Sequence, residues 1–78
     1  MSDWRLWKLH YTTECKRWID TWVDYWQCSI PPTLERLQGW IDKHYPSWGI
    51  AYDFSAIDVT GMDKDTVAKI TERIYKDV

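Results

Sequence analysis

Seven tryptophans in a chain of 78 residues constrain the fold more than any other feature. With five Tyr and one Phe they make 17% of the chain aromatic. Each Trp carries about 150–250 Å² of its own surface. A folded chain of this mass exposes roughly 5,000 Å² and buries roughly 63% of what the unfolded chain shows to water. So small a core rarely supplies more than about 3–5 kcal/mol. The aromatic rings therefore cannot all be interior, and the sequence must divide them between core and surface. The same composition excludes a disordered tail. The length leaves room for one domain, 1–78, and for no array of 20–50-residue repeats.

Charge narrows the partner classes. Ten Lys/Arg stand against twelve Asp/Glu, a net charge of −2. A non-specific nucleic-acid binder needs a basic stripe; here the only bias is a local excess in residues 1–17, where Arg5, Lys8, Lys16 and Arg17 outnumber Asp3 and Glu14. Nucleic acid is thus not the expected partner. Apolar runs are too short for a membrane span or a leader sequence. Cys15 and Cys28 form no CxxC pair and are expected as reduced thiols. The expected compartment is cytoplasmic, that of a host cell if the chain is phage-encoded.

Residues 3–12 read as a strand, with Trp7, Leu9 and Tyr11 alternating with Lys8 and His10. Trp4 and Leu6 take the opposite parity. Residues 14–28 admit two readings. On a helical wheel Tyr25, Trp18, Trp22, Cys15, Trp26, Ile19 and Val23 fill an arc of roughly 160°; Thr13 would cap that helix, with Glu14 against its dipole. The rival is a strand hairpinned through Thr12–Cys15, favoured by the Trp, Ile, Thr, Val and Tyr content. It places Ile19, Val23 and Tyr25 on one face and Trp18, Asp20, Trp22, Asp24 and Trp26 on the other. The clean amphipathic partition favours the helix.

Pro31-Pro32 breaks the chain. Residues 33–44 follow as a helix with Leu34, Leu37, Ile41 and His44 along one side, weakened at Gly39 and ended by Tyr45-Pro46. Residues 47–49 form a loop. Ile50–Val59 reads as a strand whose apolar parity changes after Ala56, which calls for a bulge near Ser55–Ala56. Asp63 caps a final helix, stapled by Met62 and Val67, with a stripe through Val67, Ile70, Ile74 and Val78. The expected fold class is α+β: a small antiparallel sheet of two or three strands packed with two or three helices as a single pair of layers.

Chemistry-bearing patterns are sparse. His10, Cys15, Cys28 and His44 are the right number of ligands for zinc, but no two sit close in one turn, and a helix over 14–28 would hold the two thiols about 20 Å apart. No metal or cofactor is expected. No GxSxG, HExxH or phosphate-cradling glycine loop occurs, and an exposed acid pair such as Asp20 and Asp24 has no reason for a raised pKa. The chain is expected not to be an enzyme.

What remains is the aromatic set. Trp18, Trp22 and Trp26 share one helical stripe and are expected to build core, with Trp7 on the inner strand face. Trp4, Trp40 and Trp48 fall where burial is hardest to arrange. These three are the expected anchors of a partner-binding surface, with Asp20 and Asp24 as its acidic rim, since aromatic anchors dominate interfaces and charges ring them. The expected function is that of a small interaction protein, of the phage or viral accessory kind, that binds and occludes a host protein. The alternative is nucleotide or single-strand stacking by Trp4, Trp7 and Trp18 with Arg5, Lys8 and Arg17. A homodimer is the third possibility.

Overall fold

The computed structural model describes residues 5–70 and 73–76. Its elements run β1 (Arg5–Cys15), β2 (Trp18–Cys28), α1 (Leu34–His44), a single 3-10 turn (Pro46–Trp48), β3 (Ile50–Asp58), α2 (Lys64–Ile70) and β4 (Ile74–Lys76). The strands form one mixed sheet in the order β3-β1-β2-β4. β1 is antiparallel to β2 and to β3, whereas β4 is parallel to β2. Four strands in a mixed sheet with two helices correct the expected antiparallel sheet of two or three strands.

Residues 18–28 are strand, not helix. β1 and β2 pair without interruption from Arg5↔Cys28 to Cys15↔Trp18. The hairpin satisfies the backbone of both segments at once and sets Trp7 opposite Trp26 and Tyr11 opposite Trp22, the cross-strand aromatic pairs that stabilise a sheet. A helix would offer its backbone the same bonds but no such partners. The turn is Lys16–Arg17 rather than Thr12–Cys15. Lys16 takes a φ of 57°, a left-handed conformation usually left to Gly or Asn. Nothing in the residue type marks it as a turn. Thr13, expected as a helix cap, instead accepts a hydrogen bond from Trp22 Nε1 at 2.8 Å.

The two crossovers explain why the helices lie on opposite faces. β2-α1-β3 steps across β1 in one direction, and β3-α2-β4 steps back across β1 and β2. β–α–β connections are right-handed almost without exception, so reversing the direction of travel moves the helix to the other face. Packing agrees. Leu37 and Ile41 of α1 are fully buried with Leu9, Tyr11, Trp26, Cys28 and Ala51 on what we call the inner face. Val67 of α2 shares a small cavity with Leu6, Gln27 and Ile74, which have the opposite parity. The single pair of layers expected from sequence is therefore helix, sheet and helix.

α1 begins one residue later than expected: Thr33 lies outside it as its cap and accepts from the Arg36 backbone N–H. β3 carries its bulge at a different place. Thr12 pairs with Tyr52 and His10 with Ser55, so Tyr11 faces two residues, Asp53 and Phe54. Asp53 absorbs the irregularity with a φ of 52°. The bulge lies nearer the start of the strand and sets Ala51, Phe54 and Ala56 on the inner face and Ile50, Tyr52 and Ile57 on the outer, so Phe54 does not share a face with Ile57 as a bulge at Ser55–Ala56 would have made it. α2 is capped by Asp63, whose carboxylate accepts from the Thr66 N–H at 2.6 Å, and its described residues run to Ile70. Ile74, expected on its apolar stripe, starts β4 instead, because β2 offers a free edge at Tyr25–Gln27. Val78 lies outside the described residues.

Candidate binding groove

Five residues of α1, Arg36, Gly39, Trp40, Lys43 and His44, recur at the i, i+3, i+4, i+7, i+8 spacing of one helical face. Together with Trp26 on β2, Tyr45 at the helix end and Tyr75 and Lys76 on β4 they line a groove of about 630 Å³. The size suits a small ligand or a few side chains of a partner. Among the described residues no carboxylate lines it, although the chain as a whole is acidic.

Trp40 sits at the centre of the rings. Its centroid lies 5.0 Å from Tyr75, 5.4 Å from His44 and from Tyr45, and 5.6 Å from Trp26, all in tilted or edge-on arrangements. Beside it runs a stack of three: Trp22 on Trp48 and Trp48 on Tyr45, each 4.3 Å apart and within 10° of parallel. Such pairs contribute about 0.5–1.5 kcal/mol each beyond their area, so the wall is rigid. Gly49 makes this possible. A side chain there would meet the Glu14 carbonyl oxygen at 2.2 Å and Cys15 Cβ at 2.7 Å; its φ of 81° lets the chain turn from Trp48 directly against β1.

The groove's polar features come from both ends. The Arg36 guanidinium lies 5.9 Å over the Trp26 ring and donates to the carbonyls of Ile30 and Pro31, tying the β2–α1 linker to the helix. Lys43, His44 and Tyr45 are exposed. Trp26 itself is fully buried and its Nε1–H has no hydrogen-bond acceptor among the described residues, an unusual state for an indole in a core. Below the rings, Tyr11 donates its hydroxyl to buried Asp24. Burial pushes the Asp24 carboxyl up from its ordinary value, opposed by the Tyr11 hydrogen bond and by Arg73. Burial, with Asp24 beside it, also raises the Tyr11 phenol. The same two causes and the Tyr45 hydroxyl raise Tyr75.

The anticipated anchors are placed differently from expectation. Trp40 and Trp48 are only half-buried, but Trp48 has both ring faces covered and Trp40 is a wall of the groove, so neither projects as an anchor. Trp4 lies outside the described residues. Asp24 is interior and cannot serve as a rim; Asp20 is exposed, towards the β1–β2 turn. The three Trp assigned to core divide along β2 instead: Trp26 is fully buried, Trp22 half-buried and Trp18 75% exposed. The described residues of the stacking alternative are spread along the hairpin. Arg5 is bridged to Asp58 at 3.0 Å at one end of β1, while Arg17 and Trp18 sit at the other, about 33 Å away at 3.3 Å per residue. Trp7 and Lys8 point to opposite faces, and Trp7 Nε1 donates to the Cys28 carbonyl.

Cys15 and Cys28 are free thiols at opposite ends of the hairpin, and among the described residues no three His, Cys, Asp or Glu side chains come together as a metal site. No helix among them is long and apolar enough to cross a membrane. Reading the sequence for isolated Trp residues missed Arg36, Lys43, His44 and Tyr45. Their helical spacing was the available signal. Tyr75 carried none, because its segment read as helix. No family model, curated protein or solved structure matches the chain.

Proposed function

We propose that this chain is a non-enzymatic protein-binding module whose recognition site is the groove between α1 and β4, and that it acts by covering the partner surface it grips. The observation that carries the reading is the lining: aromatic walls with Lys43, His44 and Lys76 at the rim and, among the described residues, no carboxylate. Desolvated aromatic pockets ringed by charge are where interface energy concentrates. The partner segment that fits is acidic and carries at least one large apolar side chain to pack into the groove against Trp40 and Tyr75.

Selection of peptides from a random library tests this. Enriched sequences should pair Asp or Glu with Trp, Phe or Leu, and Lys43→Glu should weaken their binding at least tenfold while the fold, followed by near-ultraviolet circular dichroism, is unchanged. Binders without acidic residues, or binders indifferent to Lys43→Glu, would place recognition elsewhere. Ring-current shifts of the Trp40 indole N–H on peptide addition provide an independent readout. A response to single-stranded oligonucleotides alone, lost steeply with salt, would replace the protein partner with a nucleic acid.

A further inference from the structure

A second surface is independent of the groove. β4 pairs with β2 only at Tyr25, Trp26 and Gln27, so among the described residues the outer edge of β2 from Trp18 to Asp24 has no neighbouring strand. Unpaired backbone along such an edge is a template for another strand. The sheet's other edge, β3, is interrupted by the bulge at Asp53–Phe54, a standard protection. β2 has neither bulge nor proline and keeps continuous register with β1 throughout. It also exposes apolar side chains: Trp18, at 75%, is the most accessible large apolar residue among those described, and Ile19 beside it is 62% accessible.

We propose that two copies of this chain associate through this edge, pairing antiparallel about a twofold axis at Thr21. The register follows from the open length. Thr21 is the midpoint of Trp18–Asp24, and only a ladder centred there uses the whole segment while keeping both inner faces on the same side. It sets Ile19 opposite Val23 on the outer face. On the inner face it sets Trp18 opposite Asp24 and Asp20 opposite Trp22, and brings Trp18 diagonally within reach of the other copy's Trp22. A ladder centred on Asp20 would oppose two exposed carboxylates. The ladder brings the Lys16–Arg17 turn of each copy towards Arg73 of the other, so association should tighten with added salt.

Light scattering over a concentration series tests the proposal. The expected mass is twice the 9.5 kDa of one chain. Ile19→Lys should raise the dimer dissociation constant at least tenfold, whereas Ile50→Lys, on the protected edge strand, should not change it. In a Cys15→Ser background, Thr21→Cys should oxidise to a covalent dimer, because residues opposed across an antiparallel ladder have Cα atoms about 4.5–5.5 Å apart, within disulfide reach. That experiment works on the folded protein even if Ile19→Lys disturbs folding. A single-chain mass at millimolar concentration, a dimer that Ile50→Lys dissolves, or a dimer in which Thr21→Cys fails to cross-link would each overturn it. Lys43→Glu should leave the mass unchanged, which separates this surface from the groove.

Discussion

The buried pair Tyr11–Asp24 shows how one residue can read as surface in sequence and as core in structure. On a helical wheel Asp24 belongs to the polar arc; in β2 it turns inward between the rings of Trp22 and Trp26. Its carboxyl is held above the ordinary 3.8 by burial, with the Tyr11 hydroxyl and Arg73 opposing. The unfolded chain therefore ionises first as pH rises through 3.8, and stability falls from there until the folded-state carboxyl ionises as well. Asp24→Asn keeps an acceptor for Tyr11 and removes the titration. Urea unfolding of this variant should show a flatter dependence on pH above 3.8 than the parent, and stability at neutral pH at least equal to it. Asp24→Ala orphans the Tyr11 hydroxyl and should cost about 1–3 kcal/mol. At Gly49 the limit is steric: Gly49→Ala forces a Cβ into the Glu14 carbonyl at a positive φ, and should lower the melting temperature and disturb the Trp22–Trp48–Tyr45 stack, visible in near-ultraviolet circular dichroism. Neither residue announces its role in sequence, because both roles are set by the neighbouring strand.

At the scale of elements, local signals were right wherever the chain needs no distant partner. The Asp63 cap, the break before α1, the Pro46 stop and the need for a bulge in β3 are consequences of nearby residues, and each is present. Gly39 belongs here too: a Cβ at that position meets nothing within 4 Å. Gly39→Ala should accordingly stabilise α1, raising unfolding free energy by about 1 kcal/mol. The failures are β2 and β4. β2 has both a helical stripe and an alternating pattern, and the choice between them is made by β1, which supplies aromatic partners in register. β4 is three residues long, and Ile74 fits a helix stripe as well as a strand. It becomes a strand because β2 has an edge at Tyr25–Gln27 to receive it. Short segments with two compatible periodicities are decided by what lies beside them.

Over the whole molecule, stability should be uneven. The core lies between α1 and the β1–β2–β3 sheet, while α2 contains no buried residue and β4 is held by three residue pairs. Native-state hydrogen exchange should find the slowest amides in β1 and the β1-facing side of β2. The amides of α2 should exchange through local openings well below the global unfolding free energy. Equal protection in α2 and β1 would show instead that the second helix is a cooperative part of the core. The same unevenness places Tyr75, on the weakest strand, across from Trp40 on the firmest helix, so the groove has one rigid wall and one that can adjust to what it binds.

The sequence by itself determined that this chain must show part of its aromatic surface to water, where its first helix starts and stops, that β3 needs a bulge, and that no dominant charge directs it to nucleic acid. Those conclusions rest on volume, capping and net charge, which depend on composition and near neighbours. Which tryptophans form the core, which acid is buried and which face of α1 becomes a groove were decided only by the tertiary structure. Each depends on strand pairing between segments far apart in the chain, and a strand's partner, unlike a helix's hydrogen bonds, is not contained within its own residues.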